Sequence, residues 1–269
     1  MKLAVFDTLR DALEMVTVHR RDLLRVGLVF IVGFFALGIV FLRYLLPMFP
    51  EMMGDAAAGS QPPLDPRLPA AVLIMFVIEI LLFTVFAVGW HRAVLIGAER
   101  GQGAQLGGRE LRYFWRFWRC IAISIATMIA LAFVEQFIGA ALHADPQLMT
   151  IGAELSYLLV IAYVFARLGP SFAALSVDQA MNFRESWNVT KGNGARVLVM
   201  YVMVGAGGLV LNILLGIILN MLGLGEIAPY TVMLIGALTF CALIAVIVSI
   251  NAIVFRRLTG WQSPATTAA

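Results

Sequence analysis

VLVMYVMVGAGGLVLNILLGIILNML, residues 197–222, carries no formal charge at any position. A helix needs about 20 such residues, rising ~1.5 Å each, to cross the ~30 Å hydrocarbon core of a bilayer. This stretch is long enough. Strands of a transmembrane barrel alternate apolar and polar residues over about ten positions. The run from Leu209 to Leu219 is apolar on every side, Asn212 excepted, so helix is the only reading.

Working outward, Gly223, Gly225, Glu226 and Pro229 mark a tight turn into a second run, about Ala228–Phe255. Glu226 is the only formal charge between Val197 and Phe255. Toward the amino end lie four more candidate spans. They are about Val26–Leu46 with Arg43, Ala70–Ile96 with Glu79, Cys120–Leu142 with Glu135, and Leu148–Leu168 with Glu154. Gly169-Pro170 is expected to end the fourth. The expected fold is all-α: a polytopic membrane protein of six transmembrane helices, with short amphipathic interfacial helices on the cytoplasmic side.

Composition agrees. The chain of 269 residues is 61% hydrophobic and 13% charged, with a mean hydropathy of +0.92. Soluble domains carry roughly 25% charged residues, so lipid must solvate much of this surface. No polar stretch is long enough for a separate soluble domain, and one membrane domain over 1–269 is expected. Some 25 amphipathic residues precede the first run, too many for the n-region of a secretory signal; Ala56–Gly59 offer only a weak cleavage-like site.

Basic residues set the orientation. Of the 19, all but Arg43 and Arg67 fall on one side of the six-span arrangement. The opposite loops hold Glu51, Asp55, Asp65, Asp145 and Glu226. The basic side is expected to be cytoplasmic, with both termini there. The same clustering at span ends, with a net charge of only +3, excludes a nucleic-acid-binding surface.

Three cytoplasmic segments read as amphipathic helices, each leading through an arginine (Arg25, Arg119, Arg196) into a span. Three helix–hairpin repeats are expected from this pattern. In residues 1–25, Phe6, Leu9, Leu13 and Val16 form an apolar stripe against Asp7, Arg10, Asp11 and Glu14. In the second, Leu111, Phe114, Trp115 and Trp118 recur at helical spacing, with Arg109, Arg112, Arg116 and Arg119 on the other face. Phe172–Val189, less regular, sets Val177, Ala180 and Trp187 against Asp178, Gln179, Asn182 and Glu185. Such helices anchor a bundle at the interface, and they also suit anionic lipid headgroups or a protein partner. The candidate docking residues are Arg109, Arg112, Trp115, Arg116, Trp118, Arg119, Trp187, Lys191 and Arg196.

Ionisable residues inside a span usually face the bundle and pair. Arg43, Glu79, Glu135 and Glu154 lie at comparable depth in the outer half. They form a candidate intramembrane polar cluster, either an Arg43–Glu packing pair or a site for a cation or proton. Gly205, Gly207, Gly208 and Gly216, with Asn212, Asn220 and Asn251, read as helix-packing residues.

No phosphate loop, HExxH or GxSxG motif occurs. Gly101-Gln102-Gly103 and Gly107-Gly108 read as linker. Asp178 and Glu185 read as a pair on a solvated helical face, not an acid/base couple. Cys120 and Cys241 sit in apolar runs as small hydrophobes, and the three histidines have no ligand spacing. No catalytic, cofactor or metal residue is expected.

Arg167-Leu168-Gly169-Pro170-Ser171-Phe172-Ala173-Ala174, followed by Ser186-Trp187-Asn188-Val189-Thr190-Lys191-Gly192-Asn193, carries a resemblance. This pair of segments resembles bacterial six-helix inner-membrane proteins: YciC-like proteins and the membrane domain attached to some glycerophosphodiester phosphodiesterases. The resemblance implies a six-helix bundle in a bacterial cytoplasmic membrane. It does not imply phosphodiesterase activity, because the soluble catalytic domain has no counterpart here. The functional expectation is a non-enzymatic inner-membrane scaffold, accessory subunit or envelope-homeostasis factor that contacts lipid or a protein partner. The alternative is a small transporter or channel using the outer polar cluster.

Overall fold

The computed structural model describes residues 2–45, 67–97, 106–142, 145–224 and 228–263. Glu51, Asp55, Ala56–Gly59, Asp65, Gly101–Gly103 and Glu226 lie outside the described residues. Eight helices make up the described chain: α1 (Val5–Val18), α2 (Arg20–Val40), α3 (Arg67–Ile96), α4 (Gly108–Leu142), α5 (Pro146–Ser176), α6 (Phe183–Val189), α7 (Gly194–Met221) and α8 (Pro229–Thr259). A π-turn, Phe41–Leu45, extends α2. Six of these helices are long and apolar enough to cross a membrane. Among the described residues there is no strand.

The long helices outrun the apolar stretches, mostly at their arginine-rich ends. Helix α4 spans 35 residues, about 50 Å at ~1.5 Å per residue. Its amphipathic and apolar segments therefore form one continuous rod, where the sequence pattern suggests an interfacial helix followed by a span. No helix breaker separates Arg119 from Cys120.

Helix α5 likewise runs straight through Gly169-Pro170 to Ser176, although this pair was expected to end it. Proline removes one backbone donor, and tertiary contacts hold the turn. Asn251 of α8 fills the space beside Gly169, where a Cβ would overlap its Oδ1. Arg116 of α4 donates to the Ser171 carbonyl at 2.6 Å.

Helix α8 is the axis of the bundle and touches α1, α2, α3, α5 and α7. From Ala245 to Phe255 all but one position is buried. Small residues such as Ala245, Ser249 and Ala252 let neighbours approach. Trp90 of α3 donates its indole N–H to the Ala245 carbonyl at 3.0 Å and to Ser249 Oγ at 2.9 Å, which pins α3 to this axis. Burial concentrates at the arginine-rich ends, as in Thr84–His91 of α3 and Val164–Ser176 of α5. Toward the other ends Phe133, Phe137, Leu209 and Met221 are exposed, as lipid-facing side chains would be.

Helix α1 turns at His19 and packs on α8 and α7. Its buried residues are Thr8, Leu9 and Ala12, whereas Phe6 and Leu13 of the expected apolar stripe are 74% and 53% exposed. The stripe is split because polar contacts set the rotation of the helix. Arg257 of α8 donates to Thr8 Oγ1 at 2.7 Å and to the Asp11 carboxylate.

Candidate functional site

The loop between α5 and α6 organises the arginine-rich end. Helix α5 ends in a Schellman motif: the Gln179 N–H reaches the Ala174 carbonyl and the Asp178 N–H reaches that of Leu175. The residue after such a terminus adopts left-handed backbone, usually as glycine. Here it is Asp178, at φ 58°. Asp tolerates that region better than most residues. The turn carries its carboxylate away from α5 toward α3 and α4.

Three guanidiniums meet it. Arg109 donates from Nε at 3.1 Å and from Nη2 at 2.5 Å, a two-pronged contact. Arg112 donates from Nη2 at 3.4 Å, and Arg92 Nη1 lies 3.9 Å away. The hydrogen bond from Arg109, followed by the attraction of all three arginines, holds the Asp178 carboxyl below its usual range. Arg92 also donates to the Ser176 carbonyl at 3.0 Å, at the electronegative end of α5.

Asp178 and Glu185 are thus not a pair on one helical face. Asp178 is an interhelical anchor. Glu185 closes a capping box with Asn182 at the start of α6. Helix breaks on either side of residues 177–182 separate the two carboxylates.

A groove of three adjoining depressions surrounds this anchor, joined through Arg112. They enclose about 290, 290 and 300 Å³. Among the described residues, Arg92, Arg109, Arg112, Arg116 and Arg119 line the groove, against the carboxylates of Asp178 and Glu110. Glu110 is largely committed, accepting from the Gly107 N–H at 3.0 Å. The groove therefore keeps a positive excess, with the exposed indole of Trp115 on its rim.

The expected docking residues divide. Arg112, Trp115, Arg119 and Lys191 are exposed. Arg116 turns inward, donating to the Ser171 and Met181 carbonyls, and Arg196 donates to the Leu3 carbonyl. Trp118 packs edge-on against Phe76. Trp187 lies under the guanidinium of Arg167. Arg109 is engaged by Asp178. The packed face of α4 is built from Glu110, Tyr113 and Cys120, all buried, so the Leu111–Trp115 stripe points outward.

The two segments that carried the family resemblance lock together. Arg167, 5% exposed, donates to the Thr190 carbonyl at 2.8 Å and to that of Trp187 at 2.7 Å. The Arg167 carbonyl accepts from Ser186 Oγ at 2.9 Å. The Leu3 N–H donates to Asn193 Oδ1 at 2.8 Å, which ties the amino end to the same turn. The cation rests on the carbonyl end of α6 and an aromatic face. Among the described residues, its Nε makes no hydrogen bond and no carboxylate forms an ion pair with it.

The four residues of the expected intramembrane cluster are not brought together. Arg43 donates to the Tyr230 hydroxyl from Nε and Nη2, at 3.2 and 3.0 Å. Glu135 accepts from Ser156 Oγ at 2.6 Å, across the α4–α5 pair. Glu154 is exposed. Glu79 is half-buried and lines a cavity between helices. Among the described residues, no ion pair joins Arg43 to any of the three glutamates.

The sequence reading did not single out Tyr230, Ser156, Arg92 or Asp178 as partners. Their separations, 187 residues between Arg43 and Tyr230 and 69 between Arg109 and Asp178, leave no periodic signal.

Fold and site together define an all-helical chain with six helices apolar enough to cross a membrane and an arginine-lined groove at one end. No family model, curated protein or solved structure matches the chain.

Proposed function

We propose that this protein is a non-enzymatic scaffold or accessory subunit of the bacterial inner membrane that seats anionic lipid headgroups in its arginine groove. The observation that carries this reading is the groove's surplus of guanidiniums, five against two carboxylates among the described residues, beside an exposed tryptophan. Arginine forks suit phosphate oxygens, and tryptophan favours the headgroup boundary. Each basic residue near an anionic surface contributes about 1 kcal/mol. Arg112 and Arg119, one on each side of Trp115, are the exposed arginines of the groove that can meet a headgroup, Arg112 while it also reaches Asp178. The groove faces the cytoplasm in this reading, because nearly all basic residues lie at that end.

Native mass spectrometry of the full chain from mixed phosphatidylglycerol and phosphatidylcholine tests it. Retained phosphatidylglycerol is expected on the parent protein, and its loss on the double variant R112A/R119A with an unchanged melting temperature. Equal retention of both lipids by the parent protein would overturn the reading.

A further inference from the structure

Glu79 lies 12 residues into the 30-residue helix α3, near its middle and thus deep in the bilayer if the helix spans. A carboxylate at that depth is costly and usually pairs. Glu135 has Ser156. Glu79 makes no hydrogen bond or ion pair among the described residues. It instead lines a cavity of about 350 Å³ between α2, α3, α4, α5 and α8.

The walls of that cavity are aromatic: Phe30, Phe76, Phe83, Phe117, Phe165 and Phe240. A second cavity, of about 270 Å³, continues from it. The two share Phe83, Phe117, Ile161, Phe165 and Ile244. The lining of the second includes two polar groups that satisfy each other, Tyr201 donating to Asn251 Oδ1 at 2.5 Å. No basic side chain lines either cavity. The volume is that of a small-molecule site, roughly 300–1,000 Å³.

Aromatic faces present negative quadrupole potential, and Glu79 adds a negative charge when it is ionised. An apolar wall of this kind rejects hydrated metal ions, which need several oxygen ligands. It accepts a cation that carries its own apolar shell. We propose that the Glu79 cavity binds lipophilic monocations of the quaternary ammonium or phosphonium class, with Glu79 as counter-ion and the phenylalanine rings as the cage. This site is separate from the arginine groove and does not depend on the lipid reading.

Binding of tetraphenylphosphonium to the full chain in detergent, measured calorimetrically beside tetraphenylborate, is the test. The two ions share size and shape and differ in charge sign. Binding of the cation and not the anion is expected. Equal binding of both, or of neither, overturns the proposal without any variant. Glu79→Gln should weaken cation binding by about tenfold or more and Phe83→Ala by about threefold. Glu135→Gln should leave it unchanged. Unchanged affinity in a folded E79Q protein would also overturn it.

Discussion

The guanidinium of Arg167 lies over the indole of Trp187, its Cζ 4.3 Å from the ring centroid. From that position it holds two carbonyls at the end of α6. A lysine offers one point charge and cannot stack or fork in the same way. Arg167→Lys is therefore expected to lower stability by about 2–4 kcal/mol. Equilibrium unfolding in mixed micelles measures it. A loss under about 0.5 kcal/mol, the range of neutral surface changes, would show that the stack is incidental.

Asp178 gives the fold a pH dependence at the acid end. Its carboxyl is held below the ordinary value of 3.8 by Arg109. A carboxyl depressed in the folded state stabilises fully above its unfolded value, and that contribution is lost as pH falls through the folded value. The parent protein should therefore lose melting temperature as pH falls below about 4, and Asp178→Asn should flatten that part of the profile. Asparagine is the right replacement, because it tolerates the left-handed backbone at φ 58°. An unaltered acid limb in Asp178→Asn would refute the assignment.

Gly169 permits α5 and α8 to touch. A Cβ there would lie 2.7 Å from Asn251 Cγ and overlap its Oδ1. Asn251 cannot swing freely, since Tyr201 donates to it. Gly169→Ala should cost about 1–3 kcal/mol, the usual penalty of overpacking. Adding Asn251→Ala should recover part of that loss. Additive losses in the double variant would mean that the two residues do not meet.

The amino-terminal helix is held just before its start and at its middle by side chains from elsewhere in the bundle. Asn193 accepts from the Leu3 N–H, and Arg257 pairs with Asp11. Asn193→Ala together with Arg257→Ala should undock α1 and leave α2–α8 in place. Hydrogen exchange is the measurement: faster exchange over 5–18, with little change in α8, is expected. Equal acceleration across both helices would indicate that α1 and α8 open as one unit.

Local pattern alone specified the six long helices, because unbroken apolar runs leave a backbone in lipid no alternative hydrogen-bonding scheme. It also specified the lopsided distribution of arginines, which is a matter of position along the chain. The sequence placed Glu79 inside an apolar helix for the same reason.

Rotation and partnership came only from tertiary packing. Phe6 and Leu13 satisfy a helical stripe, yet Thr8, Leu9 and Ala12 are the side chains that α1 buries. Gly169-Pro170 carries the mark of a helix end, yet contacts from Asn251 and Arg116 carry α5 through it. Asp178 sits in a polar segment like many others until a left-handed turn delivers it to arginines from two other helices. Hydrophobic periodicity acts over a few residues, whereas these contacts join positions tens to hundreds of residues apart. Only the packed bundle brings them within a few ångströms.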